Sequence, residues 1–259
     1  MGNEPLAVEG LKLVEEALRS KLQADALLVS ESGGREWPRI RQAANSRGAE
    51  IAAQRILRTT DRLFASVAAT ETPQGLAGLF RAPEWTFDDL LRGPATREGA
   101  YRGDAALIVV MAGVQDPGNV GAIVRSSEAF GATGVVATRG TADPWSPKAL
   151  RASAGSALRM PVLRGIAASV LLAQLKVAGL KIVAAASRGG DLSALDWGSP
   201  LAVFVGNEGA GLPHEVLHAA DAAVAVPMRE EVESLNAGVA ASLLLYEAAK
   251  QRAAGAMGA

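Results

Sequence analysis

The chain has 259 residues, of which 49% are hydrophobic and 20% are charged. This composition provides enough apolar material for one large domain or two ordinary ones, and it excludes an intrinsically disordered protein. Because the chain contains no cysteine, disulfides, a thiolate nucleophile and a Cys-ligated metal are excluded. The formal net charge is −1, so binding to nucleic acid would need a local basic patch.

The apolar runs of the sequence are short. The longest, at 105–112 and 239–245, fall far below the roughly 18–20 residues that a bilayer span needs. The first residues also lack the basic and then apolar layout of a signal peptide. We therefore expect a soluble intracellular protein of the cytoplasm.

The first part of the chain, residues 5–80, has the pattern of a small α/β unit. Apolar residues predict strands at 5–9 and 26–29, and helical spacing predicts a helix at 10–22. A second helix is predicted around 61–66, with Asp61 placed to cap it.

Turn-forming residues and mixed charge are concentrated between residues 81 and 103, where two prolines and three glycines occur. Such a composition is typical of a linker. We therefore predict two domains, one at 1–97 and one at 104–259.

The second part of the chain alternates apolar strands with helical stretches. The predicted strands are at 106–111, 134–138, 181–186, 201–205 and 222–226, and the predicted helices at 119–130, 147–157, 166–179, 213–219 and 234–251. This alternation predicts an α/β fold with a mostly parallel sheet covered on both faces. Ligands of such sheets bind beyond the carboxyl ends of the strands.

The loop at 116–125 follows the first of these strands. A Pro-Gly turn and a helix cap at Asn119 explain its start in structural terms. Arg125 has no such explanation: it is either a solvated side chain or a group near the ligand edge of the sheet.

Two further loops stand out. The glycines of 206–211 let the backbone approach a ligand, although Glu208 disfavours a phosphate; the alternative is a plain turn with an exposed acid. In the third loop, at 226–236, Ser234 is a good helix cap. The helix that follows is apolar nearly all round, so we expect it to pack against the sheet and a second subunit.

Two other patterns allow functional interpretations. His214 and His218 match the H-E-x-x-H zinc pattern, but these are the only histidines and the helix is short, so we expect no metal. Between residues 35 and 62, seven arginines face only three acids. This stretch is either a scattered basic surface or a surface that binds an RNA backbone, for which we select Arg35, Arg39 and Arg41.

The three loops together resemble the SpoU/TrmH family of RNA ribose 2′-O-methyltransferases. The resemblance covers about 105–250, and residues 5–80 look like the family's N-terminal substrate-binding domain, a ribosomal-protein-like α/β fold. Glu230 departs from the family pattern, which often has glycine there. The matching positions are Asn119, Gly121, Arg125, Phe130 and Gly131; Gly206, Glu208, Gly209 and Gly211; and Pro227, Met228, Ser234, Leu235, Asn236 and Ala240.

The resemblance implies a trefoil-knotted sheet of the SPOUT type, S-adenosylmethionine as cofactor, a homodimer formed by the knotted domain, and RNA as substrate, with rRNA ahead of tRNA. It implies a cofactor site at Ala185, Ala186, Gly206, Gly211, Val226, Met228 and Leu235. It also implies catalytic or substrate-orienting roles for Asn119, Arg125, Glu208, Ser234 and Asn236. Since a guanidinium does not normally deprotonate, we expect Arg125 to clamp the RNA phosphate rather than act as a base.

Three other functions are compatible with parts of the pattern. A non-catalytic RNA-binding relative would keep the fold without methyl transfer. A nucleotide-dependent oxidoreductase would need a glycine fingerprint after the first strand of the second domain, which is absent. A zinc hydrolase would need a third ligand for the histidine pair.

Overall fold

The structure is a computed structural model that describes residues 4–45, 55–94, 105–229 and 231–257. It divides into two compact units, Met1–Glu84 and Trp85–Ala259. Within the described ranges, no helix combines the length and the apolar character that a bilayer span requires.

The first unit contains a four-stranded mixed sheet in the order β1-β4-β2-β3. Strand β4 is antiparallel to both β1 and β2, and the edge strand β3 runs parallel to β2. Its elements are β1 (Pro5–Glu9), α1 (Leu11–Arg19), β2 (Ala24–Ser30), α2 (Trp37–Asn45), β3 (Ile56–Thr59), α3 (Asp61–Val67) and β4 (Leu76–Arg81).

The predicted cap of α3 is wrong by one residue. Thr60 is the N-cap, and its hydroxyl accepts a hydrogen bond from the Leu63 amide at 3.3 Å. The Asp61 carboxylate instead accepts from the Ser30 hydroxyl at 2.5 Å and from the Ser32 amide at 3.0 Å, two bonds that lower its pKa. A long-range partner therefore holds the side chain that local sequence placed at the cap.

The second unit contains a six-stranded, all-parallel sheet in the order β10-β8-β9-β5-β6-β7. The α/β fold with a mostly parallel sheet is thereby confirmed. Its elements are α4 (Phe87–Arg92), β5 (Leu107–Ala112), α5 (Pro117–Ala129), β6 (Gly134–Thr138), α6 (Pro147–Ala152), β7 (Val162–Ile166), α7 (Ala168–Val177), β8 (Lys181–Asp191), β9 (Leu201–Gly206), α8 (His214–Ala219), β10 (Ala222–Ala225) and α9 (Ala237–Met257).

The central strands β5 and β9 are buried along most of their length, as expected for a sheet covered on both faces. On one face, Ile108 and Val110 of β5 pack in a cluster with Leu171 of α7 and Val216 of α8. Helices α5 and α9 pack against each other. The loops of interest emerge at the carboxyl ends of these central strands, after Ala112 and Gly206.

Several elements differ from the prediction. The stretch at 81–103 includes helix α4, whose start is closed by a capping box between Thr86 and Asp89, while 95–103 lies outside the described residues. Strands β3, β4 and β7 were not predicted. Strand β8 continues to Asp191 because its last residues pair with β10 across a register shift.

Candidate active site

A cavity of about 460 Å³ lies beside the middle of β8, where its pairing with β9 stops, and the carboxyl end of β9. Its wall comes mainly from three segments that are distant in the sequence: the middle of β8, the loop after β9, and the segment between β10 and α9. The lining residues are Ala185, Ala186, Ser187, Val205, Gly206, Asn207, Glu208, Gly209, Ala210, Gly211, Leu212, Leu217, Val226, Met228, Glu233, Ser234, Leu235, Ala237 and Ala240.

All seven residues that the family resemblance implied as cofactor contacts lie on this one cavity. They are Ala185, Ala186, Gly206, Gly211, Val226, Met228 and Leu235. The remaining wall combines apolar side chains with a few polar ones, among them Asn207, Glu233 and Ser234. A hollow that combines apolar surface with converging polar groups is typical of a site for a small organic cofactor.

The loop after β9 is closed tightly on itself. The Asn207 and Gly211 backbones exchange hydrogen bonds at 2.9 and 3.0 Å. A Cβ atom on Gly206 would lie 2.4 Å from the Gly211 carbonyl carbon, so only glycine fits there.

Asn207 holds this loop in place and was not among the predicted site residues. Its Oδ1 accepts from the Gly209 and Ala210 amides, both at 2.9 Å, and its Nδ2 donates to the Gly113 carbonyl at 3.0 Å. The bonds to Gly209 and Ala210 form an Asx turn, which an Asn before a Gly-rich loop signals in the sequence. The bond to Gly113 crosses the sheet edge and has no such local signal.

Three of the predicted catalytic side chains form one hydrogen-bonded chain. Asn119 Nδ2 donates to Glu208 Oε1, and Asn236 Nδ2 donates to Asn119 Oδ1 at 2.9 Å. Glu208 also lines the cavity. These two hydrogen bonds therefore link the start of α5, the loop after β9 and the start of α9 at the cavity rim.

At this rim, the N-termini of α5 and α9 are capped by residues other than the ones expected. Asp116, not Asn119, caps α5 by accepting from the Asn119 amide at 3.1 Å. Asn236, not Ser234, caps α9, because its Oδ1 accepts from the Gly238 amide at 3.0 Å and the Val239 amide at 3.2 Å. The Asn119 side chain is thus free to bond Glu208 and Asn236.

An ion pair supports the start of α5. Lys148 Nζ, on α6, donates to Asp116 Oδ1 at 2.5 Å, and this hydrogen bond lowers the pKa of Asp116. Sequence reasoning did not single out this pair. Its position suits it to hold the helix turn that carries Asn119.

The other two predicted catalytic residues stand apart from this hydrogen-bonded chain. Ser234 lines the cavity. Arg125 is exposed on α5, does not line the cavity, and makes no hydrogen bond or ion pair with any described residue. Glu230 lies outside the described residues. Within one chain, the cavity therefore gathers Glu208 and Ser234, with Asn119 and Asn236 bonded at its rim, but not Arg125.

His214 and His218 lie four residues apart on α8. The two rings stack at 6.3 Å between centroids. In the part of the chain that the structure describes, no group of three or more His, Asp or Glu side chains is arranged to hold a metal ion.

The three arginines selected in the first unit differ in their surroundings. Arg39 contacts Glu36 and Glu15, each at 3.2 Å, and the hydrogen bond to Glu36 together with the charge of Glu15 raises its pKa. Arg35 and Arg41 are exposed and make no ion pair with a described residue. The basic stretch is thus only partly neutralised.

The cavity residues fit S-adenosylmethionine in their chemistry. Apolar side chains such as Leu212, Val226 and Leu235 suit the flat adenine, and exposed backbone around Gly206 offers hydrogen bonds. The carboxylates of Glu208 and Glu233 suit a cationic ligand more than an anionic one.

Family models match both parts of the chain. Residues 106–246 match the SpoU rRNA Methylase family, and residues 3–78 match the MRM3-like substrate binding domain. The chain is 33% identical, over 92% of its length and 86% of the relative, to the Bacillus subtilis 23S rRNA (guanosine(2553)-2′-O)-methyltransferase. It is 35% identical over 73% of its length to an uncharacterized tRNA/rRNA methyltransferase of Synechocystis, of which it spans 65%.

Solved structures agree with these matches. An AdoMet-bound rRNA methyltransferase from Sinorhizobium meliloti superposes with a TM-score of 0.77 at 27% identity, over 95% of this chain and 87% of that one. The A. aeolicus TrmH/SpoU tRNA modifying enzyme superposes with a TM-score of 0.52 at 27% identity, over 58% of this chain and 77% of that one. The chain belongs to the SpoU rRNA methylase family of S-adenosylmethionine-dependent RNA methyltransferases, which confirms the resemblance, the enzyme class and the cofactor expected from the sequence.

Proposed function

We propose that this protein transfers a methyl group from S-adenosylmethionine to the 2′-hydroxyl oxygen of a ribose in ribosomal RNA, releasing S-adenosylhomocysteine and the hydroxyl proton. The observation that carries the proposal is the cavity beside the middle of β8 and the end of β9, with Asn119, Glu208 and Asn236 hydrogen-bonded at its rim. The cavity accounts for cofactor binding, and the bonded side chains account for alignment of a polar acceptor.

The residues of the cavity bind and orient the cofactor in this account. Bound S-adenosylmethionine supplies an electrophilic methyl group on a sulfonium. Seven lining residues provide backbone contacts and an apolar surface that excludes water: Ala185, Ala186, Gly206, Gly211, Val226, Met228 and Leu235. Positioning of reacting groups alone contributes roughly 7–11 kcal/mol to lowering such a barrier.

The hydrogen-bonded rim receives the ribose. Asn119 bonds Glu208 Oε1, which leaves Oε2 without a bond to any described residue. This oxygen is able to accept a hydrogen bond from a ribose hydroxyl. Asn236 fixes the orientation of the Asn119 amide, and Ser234 shapes the cavity wall between β10 and α9.

Arg125 clamps the phosphate next to the target ribose and stabilises the charge that develops on the attacking oxygen. A planar guanidinium is suited to bidentate phosphate binding and, because it stays protonated in proteins, is unsuited to act as a base. Because Arg125 lies away from the cavity of its own chain, we propose that it serves the cavity of a second subunit.

A homodimer explains both the position of Arg125 and the surface of α9. Val239, Leu243 and Tyr246 follow one another on this helix at intervals of four and three residues and are 48%, 40% and 56% exposed. Tyr246 contacts Phe130, the C-cap residue of α5, edge to face with 6.0 Å between the ring centroids, which extends the apolar surface toward the helix that carries Arg125. We propose that this surface joins two subunits and that the chain is knotted as in the SPOUT type.

Ribosomal RNA is the proposed substrate because of how far the similarity extends. The neighbour described as an rRNA methyltransferase matches both units of this chain, over 95% of its length. The neighbour described as a tRNA modifying enzyme matches only 58%. The first unit is therefore proposed to bind structured RNA, through Arg35 and Arg41 among its cations. The cytoplasm is the proposed location of the protein.

The test is methyl transfer from S-adenosyl-[methyl-³H]methionine to purified 23S rRNA and, in parallel, to tRNA. We expect label in 23S rRNA with the wild-type protein, and about 100-fold less with Arg125→Lys, because lysine lacks the bidentate fork. Preferential labelling of tRNA would overturn the substrate assignment. Binding of S-adenosylmethionine without transfer to either RNA would indicate a non-catalytic relative.

A further inference from the structure

A second cavity lies in the first unit, between helix α2 and the edge strand β3, and has a volume of about 410 Å³. Pro38, Arg41, Gln42 and Asn45 occur at positions i, i+3, i+4 and i+7, so they share one face of α2. The lining residues are Trp37, Pro38, Arg41, Gln42, Asn45 and Arg58.

Two arginines without an ion-pair partner among the described residues line this cavity. Arg41 and Arg58 are exposed, and neither makes a hydrogen bond or ion pair with a described residue. Among the residues that the structure describes, no carboxylate lines the cavity. By contrast, Arg39 on the same helix is held by Glu15 and Glu36.

The chemistry of the lining suits a phosphodiester backbone. Guanidinium groups match phosphate oxygens geometrically, and the amides of Gln42 and Asn45 offer both donors and acceptors to sugar hydroxyls. Trp37 is only 4% exposed, so it forms the floor and has no free face for stacking a base. The site therefore offers guanidinium groups to phosphates and no free aromatic face to a base.

We propose that this cavity binds the phosphodiester backbone of the RNA substrate, with Arg41 and Arg58 each contacting a phosphate. The inference rests on the proposed function and deepens it. Of the three arginines selected from the sequence, only Arg41 lines this cavity. Arg35 does not line it, and Arg39 forms ion pairs with Glu15 and Glu36. The additional lining residues proposed to bind RNA are Arg58, Gln42 and Asn45.

The test measures binding of an end-labelled 23S rRNA transcript to the full-length protein at several salt concentrations. We compare wild type with Arg41→Gln, Arg58→Gln and the double variant, and we use Lys12→Gln as control because Lys12 is an exposed cation on α1 outside the cavity. Each arginine substitution should weaken binding about tenfold and lower the slope of log K against log salt by about one. The control should stay within about twofold of wild type.

Free inorganic phosphate carries the same charged oxygens as the RNA backbone, so the test has to distinguish these two ligands of the cavity. Inorganic phosphate is therefore titrated against the bound transcript at constant ionic strength. Displacement no stronger than by chloride supports an RNA backbone site. Wild-type affinity for RNA in the double variant, or loss of phosphate binding alone, would overturn the inference.

Methyl transfer and cofactor titration on the same variants separate this inference from the proposed function. We expect the double variant to raise the KM for 23S rRNA while kcat and the Kd for S-adenosylmethionine stay near wild type. If the wild-type protein binds the transcript through these arginines but transfers no methyl group, the proposed function fails and this site remains. If the wild type transfers methyl and the variants bind RNA equally well, the site is wrong and the function remains.

Discussion

The side-chain amide of Asn236 donates a hydrogen bond to Asn119 Oδ1 at 2.9 Å, across 117 residues of sequence. Asn236 thereby has two tasks, because its own Oδ1 caps helix α9. The same residue couples the start of the last helix to the side chain that bonds Glu208. The two tasks use different atoms and are separable by substitution.

Asn236→Asp should keep the cap and disrupt the bond to Asn119. A carboxylate accepts from the amides of Gly238 and Val239 as well as an amide oxygen does, so the free energy of unfolding should change by less than about 0.5 kcal/mol. It cannot donate to Asn119 Oδ1, so kcat should fall about 100-fold. Asn236→Ala should lose the cap as well, at a cost of about 1 kcal/mol in urea unfolding. A normal kcat in Asn236→Asp would contradict the role of the rim.

Gly206→Ala should weaken cofactor binding by at least about tenfold. The added Cβ would lie 2.4 Å from the Gly211 carbonyl carbon, and overpacking of this kind costs about 1–3 kcal/mol. The measurement is calorimetric titration with S-adenosylmethionine. Gly34→Ala is the matched control, since a Cβ there meets no atom within 4 Å. Unchanged affinity in Gly206→Ala would show that the loop does not contact the cofactor.

A mixed dimer tests whether Arg125 acts on the partner's cavity. Arg125→Ala and Glu208→Ala subunits are co-expressed with different tags, and the mixed dimer is isolated. If Arg125 acts in trans, one of the two sites keeps both residues, and the mixed dimer should have about half of wild-type activity. If the two residues act within one chain, both sites are broken and the activity should be as low as in the homodimeric variants.

The Glu128–Arg159 pair should make stability depend on pH. Burial raises the pKa of Glu128, but the bidentate bonds from Arg159 at 2.7 and 2.6 Å and a bond from Ser156 outweigh it, so the pKa lies below its ordinary value of 4.5. A lowered pKa gives stability that is present above pH 4.5 and lost as the pH falls through the folded-state value.

The comparison of wild type with Glu128→Gln isolates this contribution. At pH 7 we expect the variant to be less stable by about 1 kcal/mol, a value reduced by partial exposure of the pair. The difference should shrink as urea unfolding is repeated below pH 4.5. A difference that is constant with pH would contradict the assignment.

The sequence predicted those parts of the fold that depend on local pattern. The buried strands β5 and β9 are continuous apolar runs, which made a parallel sheet predictable. The short strand β7 at the sheet edge is only partly buried, so its apolar pattern is weaker, and it was missed. The extension of β8 to Asp191 depends on pairing with β10, which no local window contains.

In the site, too, features set by local sequence were predicted and features set by distant residues were missed. Motif matching in the second and third loops selected residues that line one cavity, because these loops follow the carboxyl ends of parallel strands. The first loop supplied Asn119 at the rim, whereas Arg125 does not line the cavity. Local rules nevertheless misassigned the caps at Ser234 and Asn119, since Asn236 and Asp116 compete for the same backbone amides. The bond of Asn207 to Gly113 and the pair of Lys148 with Asp116 span 94 and 32 residues and became visible only in three dimensions.

The most direct test of the central claim is nucleoside mass spectrometry of 23S rRNA after incubation with the protein and S-adenosylmethionine. The account predicts one new 2′-O-methylated nucleoside with the wild-type protein, and none with Arg125→Ala at matched cofactor binding. A methyl group on a base, or an unchanged ribose product with Arg125→Ala, would contradict it.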